Sequence, residues 1–451
     1  MTVLAPVSPK NPDRSPHAIG APLGAPWPAS ARRVEGDILV GGVSLADLAA
    51  RHGTAVYVLD ESEVRTRALA YRCALPNATV LYAAKAFLCG AMVRWMDDDG
   101  LGLDVCSGNE LGLALAQGFP ARRIVMHGNA KSEAELDLAV RSGVGRIVVD
   151  SFSEIAHLAA LAPADEPQGV YVRVVPGVAA GHHAAVRTGV DDQQFGFPLS
   201  GGFAAEAASR VLNQPHLRLE GLHCHLGSQI SQVEPFLIAV DRMVELLSTL
   251  RDRYGIILPE LDLGGGHAIA YRPGEPALDP ARYAAAVLPR LAARCAEHNL
   301  PVPRLVVEPG RAIVGPAGVA LYRVLAVKHS PSGHRFVAVD GGMSDNPRPA
   351  LYGAGYTAQL VGRFSREPLQ GARVVGRHCE AGDVLVPDAL LPEDTRPGDL
   401  LAIPAAGAYQ LSMSSGYNMV GRPPLVAVRD GAERLLLRRE TLEDILRREI
   451  A

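Results

Sequence analysis

Eight short apolar runs constrain this chain more than any other feature. Each closes on a polar or glycine cluster and is followed by residues with helical spacing. They are TVLYAAK (79–85), GLGLDVCSG (100–108), RRIVMHGN (122–129), GRIVVDS (145–151), GVYVRVV (169–175), RLEGLHCHLGS (218–228), PELDLGGG (259–266) and PRLVVEPGR (303–311). Unbroken Val, Ile and Leu runs are what strands buried on both faces look like. Parallel strands need crossover connections, and helices supply them. EPFLIAVDRMVELLSTLRDRYG is one such helix, with Phe236, Val240, Met243, Leu247 and Leu250 on its apolar face. Eight strand-then-helix units predict a closed (β/α)8 barrel over residues 54–316. A doubly wound open sheet is the alternative arrangement of the same pattern.

The character changes after residue 316. RVLAVKHS, HRFVAVDGG, ARVVGRHCE, DVLVPDALL, DLLAIPAAGAY and PPLVAVRDG are short β-type runs between turn residues. They predict an antiparallel β domain over 317–451, closed by a terminal helix in ETLEDILRREI with Leu442, Ile445 and Leu446 on its apolar face. The early segment 34–53, with RVEGDILVGGVSL, reads as a hairpin belonging to that β domain. Residues 1–33, rich in Pro, Ala and Gly, read as a flexible arm.

Composition narrows the class. Lys plus Arg number 44 against 48 Asp plus Glu, for a net charge of −4. That balance argues against nucleic acid or an acidic membrane surface as a partner. There is no run of 18 apolar residues, so no membrane span is expected. The first residues lack the basic and apolar regions of a secretory signal. The six cysteines form no CxxC pair, which fits reduced thiols in a cytoplasmic protein.

In a barrel of this type the active site lies at the C-terminal ends of the strands. Here those ends carry Lys85, Asp104 with Cys106 and Ser107, His127 with Asn129, Asp150, Arg173, His223 with His225, Gly264, Gly265 and Gly266, and Glu308 with Arg311. Lys85 closes an apolar strand, where desolvation lowers an amine's pKa and favours the neutral form that condenses with an aldehyde. A lysine snorkelling to solvent is the plainer reading. Three successive glycines after a strand suit a phosphate cradle or simply a flexible turn. Glu308 and Arg311 form either an ion pair at a turn or a carboxylate for a pyridinium nitrogen beside an anion-binding fork. The His223–His225 spacing puts two rings on one face, yet no third ligand stands at suggestive spacing, so no metal is expected. The β domain adds Arg348, Tyr352, Cys379, Glu380 and Tyr409.

Together YAAKAF, LDVCSGNEL, HGNAKS, TGVDDQQFGF, HCHLGSQI, DLGGG, EPGR, MSDNPRPALYGA, CEAGD and GAYQLSMSSGYN make the chain resemble the pyridoxal-phosphate-dependent decarboxylases of the alanine-racemase-like barrel class, above all the diaminopimelate decarboxylases. The resemblance runs from about Val34 to about Val428. It implies that Lys85 holds the cofactor as a Schiff base and His225 stacks on its ring. It also implies that Ser228, Gly264, Gly265, Gly266 and Gly310 take the phosphate, and that Glu308 pairs with the pyridine nitrogen. Asp104 and Arg173 complete the cofactor set, with Arg311 beside them. Arg311, Arg348 and Tyr352 are implied to bind the distal carboxylate of the substrate, Tyr409 to touch cofactor and substrate, and Glu380 to bind substrate. Cys379 is implied to be the proton donor, reaching the site from the partner of a head-to-tail homodimer. The implied reaction converts meso-diaminopimelate to L-lysine and CO2.

A carboxylate in EPGR favours decarboxylation over racemisation, because a protonated ring is the stronger electron sink. Two arginines and a tyrosine suit a second carboxylate rather than a diamine end. Three places depart from the family pattern. VAAGHHAAVRTG lacks a His-Thr-His run although His182 and His183 stand near it, His267 replaces a small or apolar residue, and Ala381 replaces a serine. These departures leave open a relative acting on another amino acid or a carrier-bound aminoacyl group. A non-catalytic cofactor-binding relative is the reading from another class, and the retention of Lys85 and Cys379 speaks against it.

Overall fold

A computed structural model describes residues 20–178, 189 and 194–450. Eight parallel strands close on themselves: β1 (Thr79–Ala83), β2 (Gly102–Val105), β3 (Ile124–Met126), β4 (Arg146–Val149), β5 (Gln168–Val175), β6 (Leu217–His223), β7 (Glu260–Asp262) and β8 (Arg304–Val307). They pair in chain order, and β8 returns to β1 through Val306↔Thr79 and Val307↔Val80, so the sheet has no edge. All eight apolar runs become barrel strands, and the open-sheet alternative is excluded by that closure. Their residues are buried almost throughout, as their unbroken hydrophobicity required.

Local chemistry starts the outer helices at the strand ends. Ser107, Ser132 and Ser151 each accept a hydrogen bond from the third backbone amide of the helix that follows. Ser132 and Glu135 complete a reciprocal capping box. The long helix Glu234–Tyr254 stops at Gly255, whose φ of 69° a side chain would resist. These caps place the residue just before each helix at the mouth of the barrel, where the polar strand-end groups converge.

The second body is a mostly antiparallel sheet built on the long strand Gly318–His329. That strand pairs with Arg335–Val339 and with Leu400–Pro404. It also pairs antiparallel with Val56–Asp60, which runs parallel to Leu425–Arg429. Strand Val56–Asp60 therefore belongs to this sheet, although its position in the chain suggested the barrel. Its five buried residues serve both bodies: Val56 and Val58 pack outward, Tyr57 and Leu59 toward the main core.

Two placements at the N-terminus differ from the sequence reading. Residues 20–33 are built into the fold rather than hanging free: Ala21–Pro22 pairs with Arg32 and Arg33, and Trp27 and Ala31 are buried. Residues 1–19 lie outside the described residues. The hairpin of 34–53 joins Ala21–Pro22 in its own four-stranded sheet instead of extending the large one. It caps that sheet face to face, with Ile38, Val40, Leu45 and Leu48 on Val58, Val319, Leu321 and Val426. The terminal helix is one short turn, Leu442–Leu446, with Leu442 and Leu446 exposed.

Candidate active site

At the C-terminal mouth of the barrel the strand ends enclose a cavity of about 830 Å³, a size that suits a cofactor with an amino acid. Lys85 enters it from the short turn Ala84–Ala86 after β1. Its amine lies 3.6 Å from Asp104 on β2. Burial pulls the amine's pKa down, as the sequence suggested. The anionic groups around it, Asp104 foremost, outweigh that and carry it above the ordinary lysine range. The expectation of a neutral amine is therefore corrected: in this cavity Lys85 is an ammonium held by a buried carboxylate.

Glu308 follows β8 and is 2% exposed. His127 Nε2 lies 2.7 Å from one of its oxygens and His223 Nε2 lies 3.5 Å from the other. Burial raises the carboxyl's pKa, but these two imidazoles hold it well below the usual carboxylate range. Asp262, at the end of β7, goes the other way. Burial, reinforced by the Glu308 charge, pushes it well above that range, so one of these two neighbours carries the charge and the other the proton. Burial pushes His223 down to about 3. His127 Nε2 and Glu308 Oε1 are close but out of line, and both remain without a completed hydrogen bond. Glu308 Oε1 is thus a buried acceptor open to one more donor.

His127, His223, Asp262 and Glu308 form a compact set of potential metal ligands, all within 4.8 Å of one another. Spacing along the chain pairs only His223 with His225. It missed this group because four strands bring it together. The strand-end signal had flagged His127 and His223 without a role.

His225, two residues beyond the end of β6, also lines the cavity. The amide of Gly265 donates to its Nδ1 at 3.3 Å. Burial, then the charges of Lys85 and Arg173, keep its ring neutral. The glycines leave room for the turn. A Cβ on Gly265 would stand 2.2 Å from the Glu308 carbonyl oxygen, and one on Gly266, with φ at 90°, 2.1 Å from the Gly227 carbonyl oxygen. The amides of Gly266 and Gly310 donate to no protein acceptor among the described residues. Ser228 Oγ accepts from Arg311 at 2.7 Å. Arg173 pairs with Asp150 at 3.4 Å and lies over the Phe195 ring.

The β domain closes the cavity. Tyr409 sits at φ 61°, a conformation costly for a bulky residue, and its amide donates to the Ala86 carbonyl beside Lys85. The Arg311 guanidinium lies over the Tyr409 ring at 4.6 Å. Arg348 is 5% exposed and Tyr352 lines the same wall. Sequence reading passed over Tyr271. Its hydroxyl accepts from Arg311 at 2.5 Å, and its ring underlies Arg348 at 4.8 Å. It thereby braces both arginines, although its place five residues beyond the glycines offered no signal.

Cys379 and Glu380 are both exposed and do not line this cavity. The chain alone does not bring them to Lys85. Half of the motif TGVDDQQFGF, and both His182 and His183, lie outside the described residues.

An aldehyde-bearing pyridine phosphate fits what is present. The cavity holds one lysine, an open buried carboxylate, the unused amides of Gly266 and Gly310, and the Ser228 hydroxyl. Fold and site define a pyridoxal-phosphate-dependent decarboxylase of the barrel class. The family profile for the pyridoxal-dependent decarboxylases (pyridoxal binding domain) matches residues 61–315. A diaminopimelate decarboxylase of Actinosynnema pretiosum subsp. auranticum is 55% identical over 424 residues, covering 94% of this chain and 95% of the relative. That of Mycobacterium tuberculosis strain H37Rv is 48% identical, covering 94% and 97%. The solved diaminopimelate decarboxylase of M. jannaschii superposes with a TM-score of 0.88 at 29% identity, covering 94% of this chain and 98% of that one. That of Helicobacter pylori, complexed with L-lysine, gives a TM-score of 0.81 at 30% identity, covering 89% and 98%. The chain belongs to the diaminopimelate decarboxylases. It is a carboxy-lyase using pyridoxal phosphate, and the alternative readings with another substrate or no catalysis are not favoured.

Proposed function

We propose that this chain releases CO2 from meso-diaminopimelate to form L-lysine in the cytoplasm, as a homodimer, using the residues assembled at the barrel mouth. The observation that carries the assignment is the presence of Lys85 and an open buried carboxylate oxygen, Glu308 Oε1, in the lining of one cavity. Pyridoxal phosphate, once bound, supplies a conjugated ring that accepts the electron pair left when CO2 departs. Lys85 would hold its aldehyde carbon. Gly266, Gly310 and Ser228, with Gly264 and Gly265 shaping the turn, would hold its phosphate. Glu308, kept anionic by its contacts with His127 and His223, would hold a proton at the ring nitrogen. His225 is neutral and can lie against an aromatic face without repelling a cation.

Arg311 and Arg348 offer two guanidinium forks for the carboxylate that is not lost, and Tyr352 stands on the same wall. Tyr271, Tyr356 and Ser228 fix those forks: Tyr356 accepts from Arg348 at 2.5 Å and Ser228 from Arg311 at 2.7 Å. Tyr409 and Arg311 roof the cavity and limit water. Charge on the substrate carbon must finally meet a proton. Cys379 and Glu380 are exposed in the single chain, and a head-to-tail dimer would bring the partner's Cys379 to that carbon as the thiol donor, with the partner's Glu380 at the substrate. No helix among the described residues is long and apolar enough to cross a membrane.

The purified protein loaded with pyridoxal phosphate should release CO2 from meso-diaminopimelate, and borohydride should fix the cofactor on Lys85. Absence of turnover with the cofactor bound would overturn the substrate assignment. Fixation on another lysine would overturn the site. Mixing Lys85→Ala with Cys379→Ala protein should restore about a quarter of the activity if each site draws on two chains. No restoration refutes the shared site.

A further inference from the structure

The barrel has a second cavity, at the end opposite the site described above. It measures about 660 Å³ and opens among the N-terminal starts of β1, β2, β4, β7 and β8. Its floor is apolar: Leu81, Val125, Val306 and the buried ring of Tyr171 form one packed layer inside the barrel. Its wall carries five arginines, Arg72, Arg122, Arg123, Arg146 and Arg304, and one acid, Glu260.

Most of the acidic compensation is already committed. Glu260 is shared between Arg146 at 2.9 Å and the Tyr171 hydroxyl, which donates to it at 2.5 Å. Glu220 also serves Arg146, and Asp97 serves Arg123 at 2.6 Å. Arg72 reaches only a carbonyl, that of Asp99. Arg122 and Arg304 make no ion pair or side-chain hydrogen bond with any described residue. Three guanidinium groups, all on residues exposed at this end of the barrel, thus line one open cavity without a carboxylate partner among the described residues. Low-dielectric walls focus such a field, and the planar guanidinium fork matches carboxylate and phosphate oxygens in pairs. The volume falls in the range of small-molecule pockets, about 300–1,000 Å³.

We propose that this cavity is a binding site for a small organic anion with two or more negative charges on carboxylate or phosphate groups, its charged end on Arg122 and Arg304 and its body over the Tyr171 layer. The site is separate from the catalytic mouth, because strand N-termini build one and strand C-termini the other.

Cys73 lines the same cavity and is exposed, so it reports on occupancy. In the holoenzyme at low salt, labelling of Cys73 by neutral iodoacetamide is followed by peptide mass spectrometry, with inorganic pyrophosphate or succinate added at millimolar concentration. Labelling slows at least about twofold with the binding anion, while sodium chloride at matched ionic strength leaves it unchanged. Protection by pyrophosphate alone assigns phosphate chemistry, and by succinate alone carboxylate chemistry. The preference of Cys73 for dianionic dithionitrobenzoate over iodoacetamide falls at least about threefold in Arg122→Ser/Arg304→Ser. The single variants are read in the same way if the double variant does not fold. Decarboxylation in these variants stays at the unsubstituted rate. Slowing no greater than that by salt, or slowing that survives loss of both arginines, overturns the proposal.

Discussion

His267 sits where a protonatable ring is expensive to keep. It is 2% exposed, stacked on Tyr71 with ring centroids 5.5 Å apart, met edge-on by Phe236 and packed at a tilt against Tyr283. The Tyr71 hydroxyl and His267 Nδ1 are hydrogen-bonded at 2.8 Å, and Nε2 has no partner. Burial alone pushes the ring's pKa down to about 3. An unfolded chain takes up this proton near pH 6.5 and the native one does not until about pH 3, so native stability falls as pH drops through that window. Between pH 6.5 and pH 5 the loss is about 2 kcal/mol, at ~1.4 kcal/mol per pH unit. His267→Leu with Tyr71→Phe removes the titrating group and the hydroxyl it would orphan, at similar volume. Urea unfolding at pH 8 and pH 5 should show the unsubstituted protein losing about 2 kcal/mol more than the double variant over that interval. His223 contributes in both proteins and cancels. Equal losses in the two would refute the idea that His267 is held neutral by burial.

Three further outcomes follow from the site. Glu308→Gln keeps the shape but cannot stay anionic beside His127 and His223, so kcat should fall about a hundredfold with cofactor still bound, read by CO2 release and absorbance. Tyr271→Phe removes the hydroxyl that Arg311 donates to, and KM for meso-diaminopimelate should rise about tenfold while kcat changes less. Lys131→Met leaves Glu154 buried without the ammonium 2.7 Å away, and should cost about 3–5 kcal/mol of stability by urea unfolding; a loss under 1 kcal/mol would show that the acid simply takes up a proton.

What could be read from residues alone was whatever depends on local pattern. All eight barrel strands were legible because burial on both faces demands continuous apolar runs. Lys85, Glu308 and the glycines were legible because a strand end in a barrel is a fixed address. Tyr271 and the His127–His223–Asp262 surround of Glu308 were not, since their roles arise from side chains on separate strands converging in space. The pKa of Lys85 went the other way from the desolvation argument for the same reason: Asp104 lies on the next strand, 3.6 Å away, and no spacing along the chain encodes that distance.

Hydrophobic patterning by itself determined the eight buried strands and their alternation with helices, because burial acts residue by residue along the chain; that they close into a barrel rather than an open sheet was decided by the pairing of β8 with β1. Only the tertiary structure decided that Val56–Asp60 crosses into the second sheet, that residues 20–33 are anchored by Trp27, and which charges meet. Those outcomes depend on partners from about ten to several hundred residues apart that only folding brings together, and electrostatic energies change with each ångström of separation.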